Sequence, residues 1–120
     1  MIIVHGTFPL KDDLREDALR IMHRMAVATR SELGCISYEF YIGLSDRNTI
    51  LLFQEWESVE ALHDHLESQH MNEFLRDIPS MLDGHVFTRR YEVRATEKSS
   101  IDKQEFETGS GYESYRKIIH

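Results

Sequence analysis

Hydrophobic and polar positions change period several times along the chain, and each change marks an element. Residues 2–8, Ile-Ile-Val-His-Gly-Thr-Phe, are short and β-branched, and Pro9 closes the run because it has no N–H for a ladder. From Asp12 to about Leu33 the spacing is helical, with Leu14, Ala18, Ile21, Met22, Met25, Ala26 and Thr29 on one stripe. Asp13 with Glu16 forms a capping-box pattern at its start, and Gly34 stands where a helix stop belongs. Residues 35–42 and 49–56 are two further strand-like runs, and the turn-rich Gly43-Leu44-Ser45-Asp46-Arg47-Asn48 between them predicts an antiparallel hairpin.

After Trp56 the helical period returns. Ser58 is a candidate N-cap with Val59, Leu62 and Leu66 on one face, and Ser68 caps a further helix bearing Met71, Phe74, Leu75 and Ile78. That helix is expected to stop at Pro79, and Asp83-Gly84 turns the chain into a last strand near Val86 to Arg94. The order is β-α-β-β-α-β, so the expected fold is α+β and ferredoxin-like, a four-stranded antiparallel sheet with helices on one face. It occupies residues 1–95. Residues 96–120 are polar around Gly109-Ser110-Gly111, yet carry Tyr112, Tyr115, Ile118 and Ile119; a loose tail and an arm docking on a partner subunit are both open readings.

Both faces of the sheet look apolar. Ile36, Tyr38, Phe40 and Ile42 share one parity, while Leu51 and Phe53 alternate with Leu52 and Trp56. In so short a chain the second face is most economically covered by another copy, which predicts a homodimer with sheets packed face to face.

Composition narrows the partners. The 120 residues suffice for one core, and 21 acidic against 14 basic residues leave a net charge of −7 that opposes DNA or RNA. No apolar run approaches the roughly 20 residues of a membrane span, and the opening residues lack the order of a secretion signal, so a cytoplasmic location is expected. Cys35 is alone and, beside Ile36 in a strand, reads as a small buried hydrophobe. Neither a dinucleotide fingerprint, a phosphate loop nor a hydrolase elbow is present, so no nucleotide cofactor is encoded.

The histidines are the candidate bases. His5 lies in the first strand, with Val4 and Gly6 pointing away from it; it is a pocket candidate or a hydrogen-bonded strand residue. His63 and His65 have a metal-like spacing, but on a helix their rings stand about 200° apart and cannot share an ion, so no metal is expected there. His65 and His70 straddle a helix break and can converge on one cleft, with a capping or surface role for His70 the equal alternative. Trp56 is either a core plug or a pocket wall with its indole N–H free to donate. Tyr38, Phe53, Met71 and Phe74 complete the candidate pocket lining, Met71 and Phe74 being first of all core positions, while Glu39 and Glu55 are candidate acceptors behind it or simply solvated strand residues. The pattern suits a small aromatic ligand.

The run Gly34-Cys35, Tyr38, Phe40-Tyr41, then Asn48-Thr49, Glu55-Trp56-Glu57-Ser58, Ala61-Leu62, His65, Ser68, His70 and Phe74, closing on Arg90-Tyr91-Glu92-Val93, resembles the antibiotic biosynthesis monooxygenase family, including its quinol monooxygenase-like members. The resemblance covers roughly residues 1–95 and implies a dimeric α/β barrel. It also implies oxidation of a small aromatic quinol or phenol by molecular oxygen without cofactor or metal. In that picture His65 or His5 is the base, Trp56 and Phe74 hold the ring, and Tyr38 orients an oxygen atom. Similar proteins also degrade haem or isomerise phosphorylated sugars, and a non-catalytic binding or stress-response barrel is the alternative of a different class. Haem-degrading relatives carry Asn on the first strand where His5 stands, which counts against haem.

Overall fold

A computed structural model describes residues 1–104. The apolar residues of the suggested docking arm, Tyr112 to Ile119, lie outside the described residues. The elements are β1 (Ile2–Pro9), α1 (Arg15–Arg30), β2 (Cys35–Ile42), β3 (Thr49–Trp56), α2 (Val59–Leu66), α3 (Gln69–Asp77) and β4 (Phe87–Glu92), with short 3-10 turns at Asp12–Leu14 and Pro79–Met81. The four strands form one antiparallel sheet in the order β2-β3-β1-β4. This is the ferredoxin-like arrangement that the element order predicts.

Strand parity decides what meets what. In β3, Ile50, Leu52, Gln54 and Trp56 are buried, and the register places Phe8 opposite Ile50, Ile2 opposite Trp56, and Tyr38 and Phe40 opposite Gln54 and Leu52. Directly paired residues share a face, so these form the side covered by the helices. The stripe of α1 matches: Ala18, Met22, Met25, Ala26 and Thr29 are buried. The reverse side carries Ile3, His5 and Thr7, paired with Glu55, Phe53 and Leu51 on one flank and with Tyr91, Arg89 and Phe87 on the other. Among the described residues no element covers this second face, and Tyr41, Phe87 and Tyr91 are exposed on it.

Several expected details shift. Instead of a capping box, the 3-10 turn Asp12–Leu14 precedes α1, whose N-cap Leu14 makes no side-chain cap bond; Glu16 and Asp17 complement the helix dipole instead. A bulge between Cys35 and Ser37 breaks the parity of β2 and leaves Ile36 about half exposed rather than aligned with Tyr38. On α2 the buried pair is Leu62 and His65, while Val59 and Leu66 face outward, because two helical turns can present only a narrow stripe to Trp56 and the end of α1. Leu75 is exposed as well. Pro79 does not end the helical path outright but sits first in the following 3-10 turn, where its missing N–H costs nothing.

Three joints fix the site. The Ser58 and Ser68 hydroxyls accept from the backbone N–H of Ala61 and Met71, capping α2 and α3 as their sequence positions predict. Gly34 has φ of 85°, and a Cβ there would stand 2.5 Å from Ala61 Cβ, so only glycine lets the turn after α1 lie against α2. That approach carries Glu32, two residues earlier, to the end of α2.

Candidate functional site

His65 projects from the last turn of α2 into the covered side of the sheet, its side chain only 1% exposed. Its ring lies against Trp56, with centroids 4.8 Å apart, and against Tyr38 at 5.4 Å. The helix break at Glu67-Ser68 turns α3 back so that His70 stands 5.9 Å from His65, ring to ring. Ser68 Oγ also donates to the His65 carbonyl at 2.7 Å, locking that turn. From here an aromatic wall continues, Tyr38 to Phe40 at 5.7 Å and Phe40 to Phe8 and Phe74 at 6.0 and 6.1 Å between Phe8 and Phe40 and between Phe40 and Phe74 respectively. Met71 packs partly buried beside it. A cleft of about 380 Å³ runs between α1 and α3 along Met25, Ala28, His70 and Phe74.

Glu32 organises the two imidazoles. Its Oε2 lies 2.6 Å from His65 Nδ1 and 3.0 Å from His70 Nε2. An ionised carboxylate only accepts, so His65 donates from Nδ1 and His70 from Nε2. A neutral His65 then carries a bare lone pair on Nε2, and that atom is buried without a partner among the described residues. An imidazole nitrogen in that state can accept a proton.

Burial pulls the His65 pKa down, outweighing the upward effect of the Glu32 hydrogen bond and charge, so the ring stays neutral near neutral pH. Burial, reinforced by the Glu32 charge, raises Tyr38 well above the usual phenol range; it remains a neutral hydroxyl able to donate. Cys35 is likewise raised, first by burial and then by Glu32, which suits an inert thiol. Because the folded pKa of His65 is depressed, the unfolded chain binds its proton more readily. The associated stability is complete above the ordinary value of roughly 6.5 and is lost as pH falls through that value toward the folded pKa. Melting temperature should therefore fall between pH 7.5 and 5, and His65→Gln should flatten the slope; an equal slope in the variant would place the titration elsewhere.

The structure brings together His65, His70, Trp56, Tyr38 and Phe74. It does not bring in His5 or Phe53. These two are cross-strand partners on the opposite face, where His5 Nε2 lies 3.1 Å from Tyr91 Oη and the rings stack at 5.3 Å. His5 therefore does not share a pocket with His65. The Trp56 indole is not free either: Nε1 donates to buried Gln54 Oε1 at 2.7 Å. Glu39 pairs with Arg30 at 2.7 Å, and Glu55 accepts from Ser37 Oγ at 2.7 Å, so neither backs a histidine. Glu32, Gln54 and Phe8 are the residues sequence reasoning missed. Gln54 and Phe8 could have been found from strand parity, whereas Glu32 sits in an aperiodic turn. His63 is exposed beside Glu67 at 3.3 Å, apart from His65 as the helical spacing requires.

Comparison with known proteins agrees with this architecture. The profile of the family described as antibiotic biosynthesis monooxygenase matches residues 1–77. An uncharacterised Synechocystis protein is 30% identical over 96 residues, 80% of this chain and 65% of that protein, so the chain spans just under two thirds of its length. The candidate monooxygenase YcnE of Bacillus subtilis is 24% identical over 75 residues, 62% of this chain and 79% of that protein. A crystal structure from Deinococcus radiodurans, described as a candidate antibiotic biosynthesis monooxygenase, superposes with a TM-score of 0.76 at 25% identity, covering 85% of this chain and 99% of its own. No helix among the described residues is long and apolar enough to cross a membrane.

Proposed function

The chain belongs to the antibiotic biosynthesis monooxygenase family, and from that premise we propose that it oxidises a small aromatic quinol or phenol with molecular oxygen, without a cofactor. The observation that carries this reading is the buried, unpartnered Nε2 of His65, whose other nitrogen is fixed by Glu32. A phenolic O–H placed at Nε2 gives its proton to His65, and the resulting phenolate is a far better electron donor to oxygen. For a quinol the overall change balances: the ring loses four electrons and becomes a hydroxyquinone, one oxygen atom enters the ring, and the other leaves as water. The substrate supplies every electron. Trp56 and Phe74 would hold the ring, Met71 and His70 border it, and the neutral Tyr38 hydroxyl would orient an oxygen atom.

The working unit in this reading is a homodimer in the cytoplasm. The face bearing Tyr41, Phe87 and Tyr91 exposes large aromatic side chains, and a second sheet would bury it together with His5 and Phe53. Sedimentation as a monomer at micromolar concentration would contradict this. Activity is tested with an oxygen electrode and a panel of quinols: stoichiometric oxygen uptake with hydroxyquinone formation is expected. Saturable quinol binding without oxygen consumption would instead make the protein a binding module.

A further inference from the structure

The carboxylate and two imidazoles gathered at the end of α2 offer more than a base and its orienting partner. One donor atom each from Glu32, His65 and His70 lies within 4.8 Å of the others. The two shortest pairs, 2.6 Å and 3.0 Å to the same carboxylate oxygen, approach the spacing of neighbouring donors around an ion. Two ligands at the tetrahedral angle on bonds of ~2.1 Å stand ~3.4 Å apart, so an ion would seat itself once the carboxylate withdraws by ~0.4–0.8 Å. The three residues come from separate elements, the turn after α1, the end of α2 and the start of α3, and the Ser68 bonds hold the last two in place.

We propose that Glu32, His65 and His70 form a site for a divalent transition-metal ion of the zinc class, bound by the Glu32 carboxylate, His65 Nδ1 and His70 Nε2. The donor set selects the ion: two imidazoles and one carboxylate favour zinc, cobalt or nickel over magnesium and calcium, which prefer oxygen alone. Glu32 and His70 are partly exposed, at 18% and 28% of their side chains, and give an ion a way in that the buried His65 does not. This site is not the His63-His65 pair, whose helical spacing separates the rings. It depends on two residues far from His65 in sequence or across a helix break.

Occupancy changes what His65 presents. In the metal-free protein the ring proton sits on Nδ1 and bonds to Glu32. An ion takes the Nδ1 lone pair, so the single ring proton moves to Nε2, and a lone pair there becomes an N–H. Metal-bound histidines normally give that second N–H to an acceptor, and Nε2 has no partner among the described residues. The ion is therefore a reversible occupant rather than a structural staple. The corollary that it silences the base rests on the monooxygenase reading; binding of the ion does not.

The test titrates zinc ion into the full chain by calorimetry at neutral pH, with histidine 15N spectra recorded alongside. Wild type should take up zinc at this site with His65 changing from the Nδ1–H to the Nε2–H tautomer. Glu32→Gln and His70→Gln should weaken that uptake by ~10-fold or more, since loss even of a metal's outer hydrogen-bond partner costs ~10–100-fold. His63→Gln should not. Unchanged His65 shifts at saturating zinc, or equal affinity in wild type and Glu32→Gln, would overturn the site. Should either variant fail to fold, the wild-type tautomer change decides alone. Zinc binding in a protein that consumes no oxygen with any quinol would leave the metal site standing and remove the enzyme reading, and the reverse pair of results would do the opposite.

Discussion

Replacing His65 by glutamine is expected to lower kcat for quinol-dependent oxygen uptake by ~10²–10⁴-fold, the usual contribution of a positioned general base, while KM changes little. Glutamine nearly fills the space of the imidazole and keeps a polar group toward Glu32, so the wall formed by Trp56 and Tyr38 survives. What disappears is the basic Nε2. The substrate hydroxyl must then lose its proton to water in a site that excludes it, and the phenolate no longer forms before electrons move to oxygen. The pH profile separates this from a merely structural loss. In wild type, kcat/KM should fall on the acid side as His65 becomes protonated, and in the variant that limb should vanish. His5→Gln should leave the rate within about twofold, because His5 lies on the other face of the sheet with Tyr91. A His65→Gln variant turning over at the wild-type rate would remove the imidazole from the mechanism.

The difference between those two histidines shows where the sequence was readable. The hairpin strands emerge at residues 35–42 and 49–56, as the punctuation by Gly34 and the Gly43–Asn48 turn implies. The caps at Ser58 and Ser68 also follow from residue type, because a hydroxyl ahead of a helical period has a local partner to satisfy. Alternation within β1 shows that Val4 and Gly6 point opposite to His5, but it does not say which side the helices take. That choice is made by register between strands, and Val4 pairs with Gln54, on the parity of Trp56, while His5 pairs with Phe53. The helix break between His65 and His70 made their convergence foreseeable. Glu32 was not foreseeable, since its partners are 33 and 38 residues away and nothing periodic marks it. A turn residue that ends up beneath two histidines acquires its role only when Gly34 folds the end of α1 onto Ala61.

Whether Trp56 is a plug or a wall is answered by stability. Trp56→Ala is expected to cost ~3–5 kcal/mol in urea unfolding at fixed protein concentration, the range for truncating a fully buried large aromatic. The indole is 0% exposed, ends β3 between its partners Ile2 and Cys35, and covers one side of the His65 ring. Truncation opens a cavity and also strands Gln54 Oε1, a buried acceptor whose donor among the described residues is the indole N–H at 2.7 Å. Against a typical total of ~5–15 kcal/mol, that loss leaves little folded margin, so Trp56→Ala is unsuited to measuring catalysis. Trp56→Phe divides the two effects. It keeps most of the apolar volume and forfeits the hydrogen bond, for an expected ~1–3 kcal/mol, leaving enough folded protein to assay. A loss under ~1 kcal/mol for Trp56→Ala would mean that the interior closes over the gap, and Trp56 would then be a pocket wall without a core role. A large loss for Trp56→Ala together with a depressed kcat in a stable Trp56→Phe would make both roles true of the same side chain, the ring that supports the sheet being the one that holds His65 in place.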